Sequence, residues 1–355
     1  MIIENLESPR VVAVPENPGF GVTYTNRMFT QHFNPEQGWH DPRIQAFGPL
    51  PLHPVAQVLH IGLAIFEGTK AYRRPDGHLN LFRIDRNMAR LNRSAIRLGM
   101  PQIDAETHIG YIEALVRLEH EWVPRIPGCT LYIRPVIIST EETLEVRVGR
   151  KFLHYIFLSP VGPYFSKGFN PVSVHISHDY VRAVRGGTGE AKTTANYAGT
   201  VHVAEQVRPL GYAQVLWLDA IERRYVEEVG AMNIMFVRDG KHIITPALSG
   251  SILHGVTRES VLQLAPDLGY TVSEEKIDVD EMLADIERGR ITEAFGVGTA
   301  AVVAPVGKFG YKDKEYRINN EQTGPVAQHL YTALTDIQFG RAPDTYGWIR
   351  QINVD

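Results

Sequence analysis

One lysine, Lys192, follows a run of glycines in the stretch RGGTGEAKTTANY, residues 185–197. A lysine in such a loop can bind a phosphate through its charge, or its amine can react covalently with a carbonyl group. The phosphate-binding P-loop requires G-x-x-x-x-G-K-[ST], in which a glycine stands directly before the lysine. Ala191 occupies that position here. A P-loop nucleotide hydrolase is therefore disfavoured, and an amine that reacts covalently is the interpretation that remains.

A second glycine pattern, GVGTAA at residues 296–301, matches the dinucleotide fingerprint G-x-G-x-x-G/A. That fingerprint must open a helix, because the N-terminus of the helix holds the pyrophosphate. Here two valines and Pro305 follow, and these residue types oppose a helix. The sequence therefore predicts a glycine-permitted turn between two strands.

The composition sets limits on the class of protein. The chain has 355 residues, 44% hydrophobic and 21% charged, with a formal net charge of -4. This length favours two domains, and the charge gives no reason to expect a nucleic-acid or membrane partner. Cys129 is the only cysteine, which excludes an internal disulfide and a cysteine-based zinc site, and we expect no metal. Neither a signal-peptide pattern nor an apolar run of ~20 residues occurs, so we expect a cytoplasmic protein.

The predicted elements follow one another in mixed rather than alternating order, which indicates an α/β protein with α+β-like order. The first ~50 residues are rich in Pro, Gly and Asn and predict an irregular leader. Residues 159–171, SPVGPYFSKGFNP, contain three prolines and two glycines. They predict a connection between an N-terminal domain at 1–158 and a C-terminal domain at 172–355 that carries the lysine.

Several segments have strong local signals. A strand and then a helix are predicted for HLNLFRIDRNMARLNRSAIRLGMP, with Asp85 as N-cap and Gly99 after the last turn. A β-hairpin is predicted for NIMFVRDGKHIITP, with Asp239 and Gly240 in its turn. A helix is predicted for TRESVLQLAPDLG, with Thr257 as N-cap.

A lysine that reacts covalently requires partners of defined types. Its amine condenses with the aldehyde of pyridoxal phosphate, which then acts as an electron sink for the α-carbon of a substrate. The cofactor needs a carboxylate facing its pyridine nitrogen, and a phosphate cradle of backbone N–H groups, hydroxyls and an arginine. All these parts occur in this sequence in a recognisable order.

From about Gln57 to its C-terminus, the sequence resembles the branched-chain amino-acid aminotransferases, which are pyridoxal phosphate enzymes of fold type IV. The resemblance implies a two-domain fold with the cofactor at the domain interface. GGTGEAK..ANY is similar to the lysine segment of the family, which makes Lys192 the Schiff-base residue and Tyr197 a hydrogen-bond partner of the ring oxygen. VEEVGAMNIMF is similar to the acidic strand and implies that Glu228 faces the pyridine nitrogen, whereas Glu227 points to the other strand face.

The same resemblance assigns the phosphate contacts. SILHGVTRES is similar to a phosphate-binding turn, which implies contacts from Val256 and Thr257. GVGTAA is similar to a second turn, in which Thr299 contacts the phosphate and Ala300 the α-carboxylate of the substrate. NMARLNRSA implies a phosphate contact for Arg90. This residue belongs to a row of arginines at helical spacing, and the other three, at 86, 93 and 97, are interpreted as a solvated face.

Substrate contacts are also implied by similar motifs, namely IFEGTKAY, LYIRPV, VGPYF and TLEVRV. Tyr132 is implied at the α-carboxylate and Arg134 near a side-chain carboxylate, while the last motif is implied to reach the pocket of a neighbouring subunit. The residues implied are Phe66, Lys70, Tyr132, Arg134, Tyr164, Leu144 and Val146.

The resemblance implies transfer of the amino group of leucine, isoleucine or valine to 2-oxoglutarate, which gives branched-chain 2-oxo acids and glutamate. It also implies a homodimer whose partners are small amino acids and 2-oxo acids. The alternatives within the fold type are a D-amino-acid or aromatic aminotransferase and an aminodeoxychorismate lyase. A non-catalytic relative is disfavoured because the lysine, the carboxylate and the phosphate cradle are all intact.

Overall fold

The computed structural model describes residues 1–6, 14–162 and 169–354. The chain divides into two compact units, which are described separately below. Unit 1 comprises Met1–Tyr164, Ala191–Thr194 and Asp336–Asp355, and unit 2 comprises Phe165–Glu190 and Ala195–Thr335. Within the described ranges, no helix combines the length and the apolar character needed to cross a membrane.

The described residues form eighteen strands, eight α-helices and three 3₁₀ turns. In chain order the strands are β1 (Ile2–Ile3), β2 (Arg27–Asn34), β3 (Gly38–Ala46), β4 (Ala64–Phe66), β5 (Thr69–Arg73), β6 (Leu79–Phe82), β7 (Thr130–Ser139), β8 (Phe152–Val161), β9 (Val172–Ile176), β10 (Gln214–Leu218), β11 (Val226–Val229), β12 (Met232–Arg238), β13 (His242–Pro246), β14 (Thr271–Glu275), β15 (Ile291–Gly298), β16 (Val302–Tyr311), β17 (Lys314–Arg317) and β18 (Ile349–Ile352). The helices are α1 (Gln57–His60), α2 (Ile84–Arg97), α3 (Ala105–Leu118), α4 (Thr194–Ala198), α5 (Val201–Val207), α6 (Val256–Asp267), α7 (Val279–Glu287) and α8 (Pro325–Gln338), and the 3₁₀ turns are His120–Trp122, Arg208–Leu210 and Asn319–Glu321.

The sheet of unit 1 has the strand order β1-β3-β2-β8-β7-β5-β6-β18, with β4 also paired to β7. Helices α2 and α3 bury their apolar faces against it, and the shared core includes Met88, Ile112 and Leu131. Alternate residues of a strand point to opposite faces of the sheet. Since Leu131 and Ile133 of β7 enter the core, Tyr132 and the other intervening residues of β7 lie on the opposite face.

The predicted irregular leader is wrong for residues 27–46. These residues form the antiparallel hairpin of β2 and β3, in which Phe29 and Ile44 are completely buried. Gly38 adopts a left-handed φ of 66° at the end of the hairpin loop. The strands are stabilised by pairing of β2 with β8, far along the chain, which the local Pro- and Gly-rich composition does not show.

Helix α2 confirms the predicted strand–helix pair but not its cap. The N-cap is Arg83, in the left-handed conformation with φ 48°, so the assignment of Asp85 to that position is wrong. The N–H of Arg83 donates to the carbonyl of Trp348 over 2.7 Å, which keeps Arg83 at the end of β6. Asp85 instead lies in the first turn, where a carboxylate stabilises the helix dipole. Gly99, with φ 67°, follows the helix as predicted.

The sheet of unit 2 has the order β11-β10-β9-β16-β15-β12-β13-β14, with β17 paired to β16 and β11 paired to β12 as well. Its core includes Phe236 and Phe309, packed with the apolar face of α7. The predicted hairpin is confirmed, since β12 and β13 are antiparallel and Asp239 and Gly240 have φ of 50° and 69°. The predicted turn after GVG is confirmed as well, because β15 ends at Gly298 and its antiparallel partner β16 follows it closely.

The compact units differ from the predicted domain boundaries in two places. The segment with Lys192 and the C-terminal segment both lie in unit 1, although residues 172–355 were expected to form one domain. For the C-terminal segment the reason is the antiparallel pairing of β18 with β6. Residues 159–161 of the predicted connection complete β8, and residues 163–168 lie outside the described residues.

Candidate active site

The backbone of Lys192 is held by β4 and α2 of unit 1. The N–H of Phe66 donates to the carbonyl of Lys192 over 3.0 Å, and the N–H of Lys192 donates to the hydroxyl of Ser94 over 2.8 Å. The next residue, Thr193, donates its hydroxyl to the carbonyl of Ala64 over 2.7 Å. These bonds fix the position from which the lysine side chain starts, so the amine can search only a small volume.

The side chain of Lys192 lies beside the aromatic ring of Phe66. Its Nζ is 4.9 Å from the ring centroid, and the guanidinium carbon of Arg134 is 4.6 Å from the same centroid. Arg134 also donates to the hydroxyl of Tyr132 over 3.2 Å. Four residues singled out from the sequence therefore lie together in unit 1, where the aromatic faces stabilise the cations.

The face of the sheet that carries Tyr132 and Arg134 has further side chains that the motifs did not identify. The pairing of β7 with β8 places Ser159 opposite Tyr132, Phe157 opposite Arg134 and Tyr155 opposite Val136. Burial raises the pKa of the Tyr155 phenol, while the charge of Arg134 lowers it by a smaller amount. The alternation of both strands would have revealed this set, had the hairpin register been known.

Lys70 lies on β5 opposite Tyr132 and is only 5% exposed. Burial lowers the pKa of its amine to about 7. Both charge states are therefore accessible near neutral pH, in contrast to an exposed lysine. Nearby, Gly68 approaches the ring of Tyr132 so closely that a Cβ would stand 2.0 Å from the tyrosine hydroxyl, which explains the glycine in FEGTKAY.

Arg90 is buried in an ion pair that the sequence did not reveal. Its Nε and Nη2 donate to the two carboxylate oxygens of Glu67 over 2.7 and 2.9 Å. Glu67 is completely buried and also accepts from the side chain of Asn87 over 2.9 Å and the N–H of Gly68 over 3.1 Å. Arg90 is 4% exposed, whereas the arginines at 86, 93 and 97 are exposed, as predicted.

The surroundings of Glu67 favour its ionised form in spite of its burial. Burial by itself raises the pKa of this carboxyl, but the charge and hydrogen bonds of Arg90, followed by the charge of Lys192, hold the pKa below its usual value. The candidate site of unit 1 thus contains a buried carboxylate that is paired with Arg90 and also affected by the charge of Lys192. A glutamate within the apolar strand segment AIFEG was the available signal, since an unpaired acid is rare in such a strand.

In unit 2, Glu228 of β11 is 3% exposed and accepts the N–H of Leu253 over 2.6 Å. Its other oxygen lies 3.2 Å from Nε of Arg182, a residue that the sequence did not single out. Glu227 contacts different partners, accepting hydrogen bonds from the hydroxyls of Ser249 and Ser251. Burial raises the pKa of Glu227, against smaller opposing effects of Ser251 and Arg182. The two neighbouring glutamates therefore have different hydrogen-bond partners, Leu253 for Glu228 and the two serines for Glu227.

The turn that leads into α6 forms a cradle of backbone groups. The helix begins at Val256 and its N-cap is Gly255, so the prediction of Thr257 as N-cap is wrong and Thr257 lies in the first turn. Asn233 donates to the carbonyl of Leu253 over 2.9 Å, and a Cβ on Gly255 would lie 1.9 Å from the amide oxygen of Asn233. This close approach leaves room only for glycine. The first N–H groups of α6 have no acceptor within the helix and carry the positive end of its dipole.

The remaining predicted residues that the structure describes lie in a turn, a short helix and a loop. Thr299 and Ala300 form the half-buried turn between β15 and β16, and Tyr197 is half-buried on α4. Leu144 and Val146 of unit 1 are 77% and 91% exposed. Tyr164 lies outside the described residues.

A family model described as amino-transferase class IV matches residues 64–309 of this sequence. The chain belongs to the amino-transferase class IV family. Among the relatives of this class IV chain, branched-chain-amino-acid transaminase 1 of Bacillus subtilis (strain 168) is 47% identical over 339 residues, which cover 95% of each chain.

Solved structures with a similar fold include a branched-chain aminotransferase from the thermophilic archaea Thermoproteus uzoniensis with norvaline. It has a TM-score of 0.77 at 27% identity and covers 92% of this class IV chain and 100% of its own. The branched-chain amino acid aminotransferase from Thermobaculum terrenum in its PLP-form (holo-form) has a TM-score of 0.76 at 22% identity, covering 93% and 99%. The predicted α/β fold of type IV is confirmed.

In this class IV aminotransferase, Glu67→Ala should lower the free energy of unfolding by about 3–5 kcal/mol, because it leaves the charge of Arg90 in a buried site without its carboxylate. Urea denaturation of the protein without added cofactor measures this loss. The matched control is Glu205→Ala, which breaks the exposed pair of Glu205 and Arg208 and should cost less than ~1 kcal/mol. Equal losses in the two variants would contradict this view of Glu67.

Proposed function

We propose that this chain is a branched-chain amino-acid aminotransferase that depends on pyridoxal phosphate. In this reaction the amino group of leucine, isoleucine or valine passes to 2-oxoglutarate. Support comes chiefly from Lys192, whose backbone is fixed by Phe66 and Ser94 and whose amine lies beside the aromatic and cationic groups of one sheet face. The names of relatives 45–47% identical to this chain point to the same reaction.

The types and surroundings of the donor groups fit pyridoxal phosphate. The amine of Lys192 matches the aldehyde, and the buried carboxylate of Glu228, with a guanidinium beside it, matches the pyridinium nitrogen. The helix N-terminus capped by Gly255 matches the phosphate. When bound, the cofactor supplies an electron-withdrawing ring that stabilises negative charge on the α-carbon of the substrate. The residues that would hold it are Lys192, Glu228, Tyr197, Arg90, Val256, Thr257 and Thr299.

Lys192 also provides the proton transfer of the reaction. Its amine would remove the α-proton of the amino acid as a general base and would then deliver this proton, as a general acid, to the electron sink that the cofactor supplies. The backbone bonds from Phe66 and to Ser94 keep the amine within reach of that carbon. Glu228 would hold the proton on the ring nitrogen of the cofactor, and the cation of Arg182 beside it favours the ionised carboxylate that this task requires.

Two side chains of different polarity must bind in turn, a branched aliphatic group and the carboxylate of 2-oxoglutarate. The ring of Phe66 supplies apolar surface, while Arg134, which lies over that ring, supplies a charge at its edge. Tyr132 accepts a hydrogen bond from Arg134 and offers its hydroxyl to the α-carboxylate, together with the backbone at Ala300. Lys70, with a pKa of about 7, can be neutral beside an aliphatic group and charged beside a carboxylate. Tyr164 is proposed to line the same pocket.

Lys192→Ala should abolish the visible absorption band of lysine-bound pyridoxal phosphate and lower kcat for leucine and 2-oxoglutarate by roughly 10³-fold or more, because the covalent link and the proton carrier are both lost. The spectrum of the purified protein and a coupled glutamate assay measure these effects. Lys241→Ala changes an exposed lysine and is the control, with a spectrum and rate like those of wild type. A variant at Lys192 that keeps the band or the rate would refute the proposal.

We further propose that the enzyme is a homodimer. The loop with Leu144 and Val146 exposes both side chains, yet its backbone is fixed, because the amide of Gln57 donates to the carbonyls of Glu145 and Arg147 over 3.2 and 2.9 Å. A fixed loop that presents apolar side chains is typical of an interface. The proposal places these two side chains against the pocket of the neighbouring subunit.

Val146→Asp should weaken the dimer and raise KM for leucine, because a charge would be buried against the neighbouring subunit. Sedimentation velocity over a range of protein concentrations measures the association. Ile221→Asp alters an equally apolar residue of unit 2 that is 77% exposed, and it should leave the dimer unchanged. A wild-type protein that sediments as a monomer at every concentration would refute the dimer.

A cytoplasmic location is proposed as well. It fits a chain whose one cysteine, Cys129, is buried and free, since secreted proteins of small size commonly depend on disulfides.

A further inference from the structure

We propose that Arg182 is a positioning residue of the active site, which fixes the carboxylate of Glu228 and ties it to the backbone of two further site segments. The inference rests on the proposed function, because it concerns how Glu228 meets the ring nitrogen of the cofactor. The residue lies in VRAVRGG, ahead of the motif that identified the lysine.

The contacts of Arg182 all lie within unit 2. Its side chain is 6% exposed, and its Nε lies 3.2 Å from a carboxylate oxygen of Glu228. Its Nη2 donates to the carbonyl of Gly189 over 3.2 Å and to the carbonyl of Ser251. Gly189 belongs to the lysine motif, and Ser251 begins the turn that leads into α6. One guanidinium therefore contacts the acidic strand, the lysine motif and the turn.

Gly189 shows how closely two of these segments approach each other. A Cβ at this position would lie 2.2 Å from the carbonyl oxygen of Ser251 and 2.7 Å from its Cα. Backbone thus packs directly on backbone, and both carbonyls point to the same guanidinium. This close packing is the structural requirement for the third glycine of RGGTG.

The charges around Arg182 explain why a cation is required there. Glu227 and Glu228 are neighbours on β11, both at most 4% exposed, and Asp219 adds a further negative charge that acts on Glu227. Burial raises the pKa of Glu227, and the charge of Glu228 adds to the rise, whereas Arg182 opposes it. Buried acids that lie side by side favour uptake of a proton unless a cation is close. Arg182 is that cation, and it contacts Glu228 directly.

Lysine could not replace all these contacts. The guanidinium presents several N–H groups in a rigid plane, so Nη2 can donate to two carbonyls while the positive charge stays beside the carboxylate of Glu228. An ammonium group preserves the charge but not this geometry. Charge and geometry can therefore be separated by two substitutions, Arg182→Met and Arg182→Lys.

The experiment uses the full-length protein reconstituted with ¹⁵N-labelled pyridoxal phosphate. The ¹⁵N chemical shift of the ring nitrogen, followed against pH, gives the midpoint of its protonation. For Arg182→Met we expect this midpoint to fall by at least about one pH unit, because without the cation Glu228 takes up a proton, and a neutral carboxyl group no longer stabilises a protonated ring nitrogen. kcat should fall with it, by about tenfold or more, while KM for 2-oxoglutarate changes little.

For Arg182→Lys we expect a midpoint near that of wild type, because the charge is kept. The dissociation constant for pyridoxal phosphate should nevertheless rise about tenfold, because the guanidinium that joins the carbonyls of Gly189 and Ser251 is lost. Arg288→Gln is the control, since Arg288 is an exposed arginine of unit 2, and it should change neither quantity.

An Arg182→Met protein with an unchanged midpoint overturns the inference, and so does an Arg182→Lys protein with an unchanged dissociation constant. The second result decides the matter if the methionine variant fails to fold. A wild-type protein that binds no pyridoxal phosphate would overturn the proposed function and this inference together. A wild-type protein that binds it normally, alongside unaffected variants, would overturn the inference only.

Discussion

Two backbone hydrogen bonds hold Lys192, one from Phe66 on β4 and one to the hydroxyl of Ser94 on α2. A flexible lysine side chain becomes a reagent only when its backbone is fixed, since a small displacement of a reacting group lowers its rate strongly. β4 is in turn held by β7, and α2 by the core beneath the sheet. The packing of unit 1 thereby determines where the amine can act.

Buried charges are the second constraint. In the described part of each unit, a buried glutamate lies beside a buried arginine: Glu67 beside Arg90 and Glu228 beside Arg182. Burying such a pair gains little stability over apolar residues, because the loss of hydration offsets the attraction. Both pairs lie among the proposed cofactor residues, where fixed charges of known sign are needed. Their placement is therefore explained by chemistry better than by stability.

Local signals in the sequence predicted local structure well. The hairpin at Asp239 and the end of α2 at Gly99 follow from turn and cap residues within a few positions. The leader was wrong because β2 is stabilised by β8, and composition does not report a partner so distant. For the same reason the motifs suggested Arg90 and Glu228 but neither Glu67 nor Arg182, whose importance comes from a contact between distant segments. The roles of all the site residues stay predictions.

The most direct test of the account is to find where pyridoxal phosphate attaches. Borohydride reduction of the protein incubated with the cofactor makes the link permanent, and peptide mapping by mass spectrometry then locates it. The account predicts a phosphopyridoxyl group on the peptide with Lys192 and on no other lysine at stoichiometric yield. A label on Lys70, or the absence of any stoichiometric label, would contradict it.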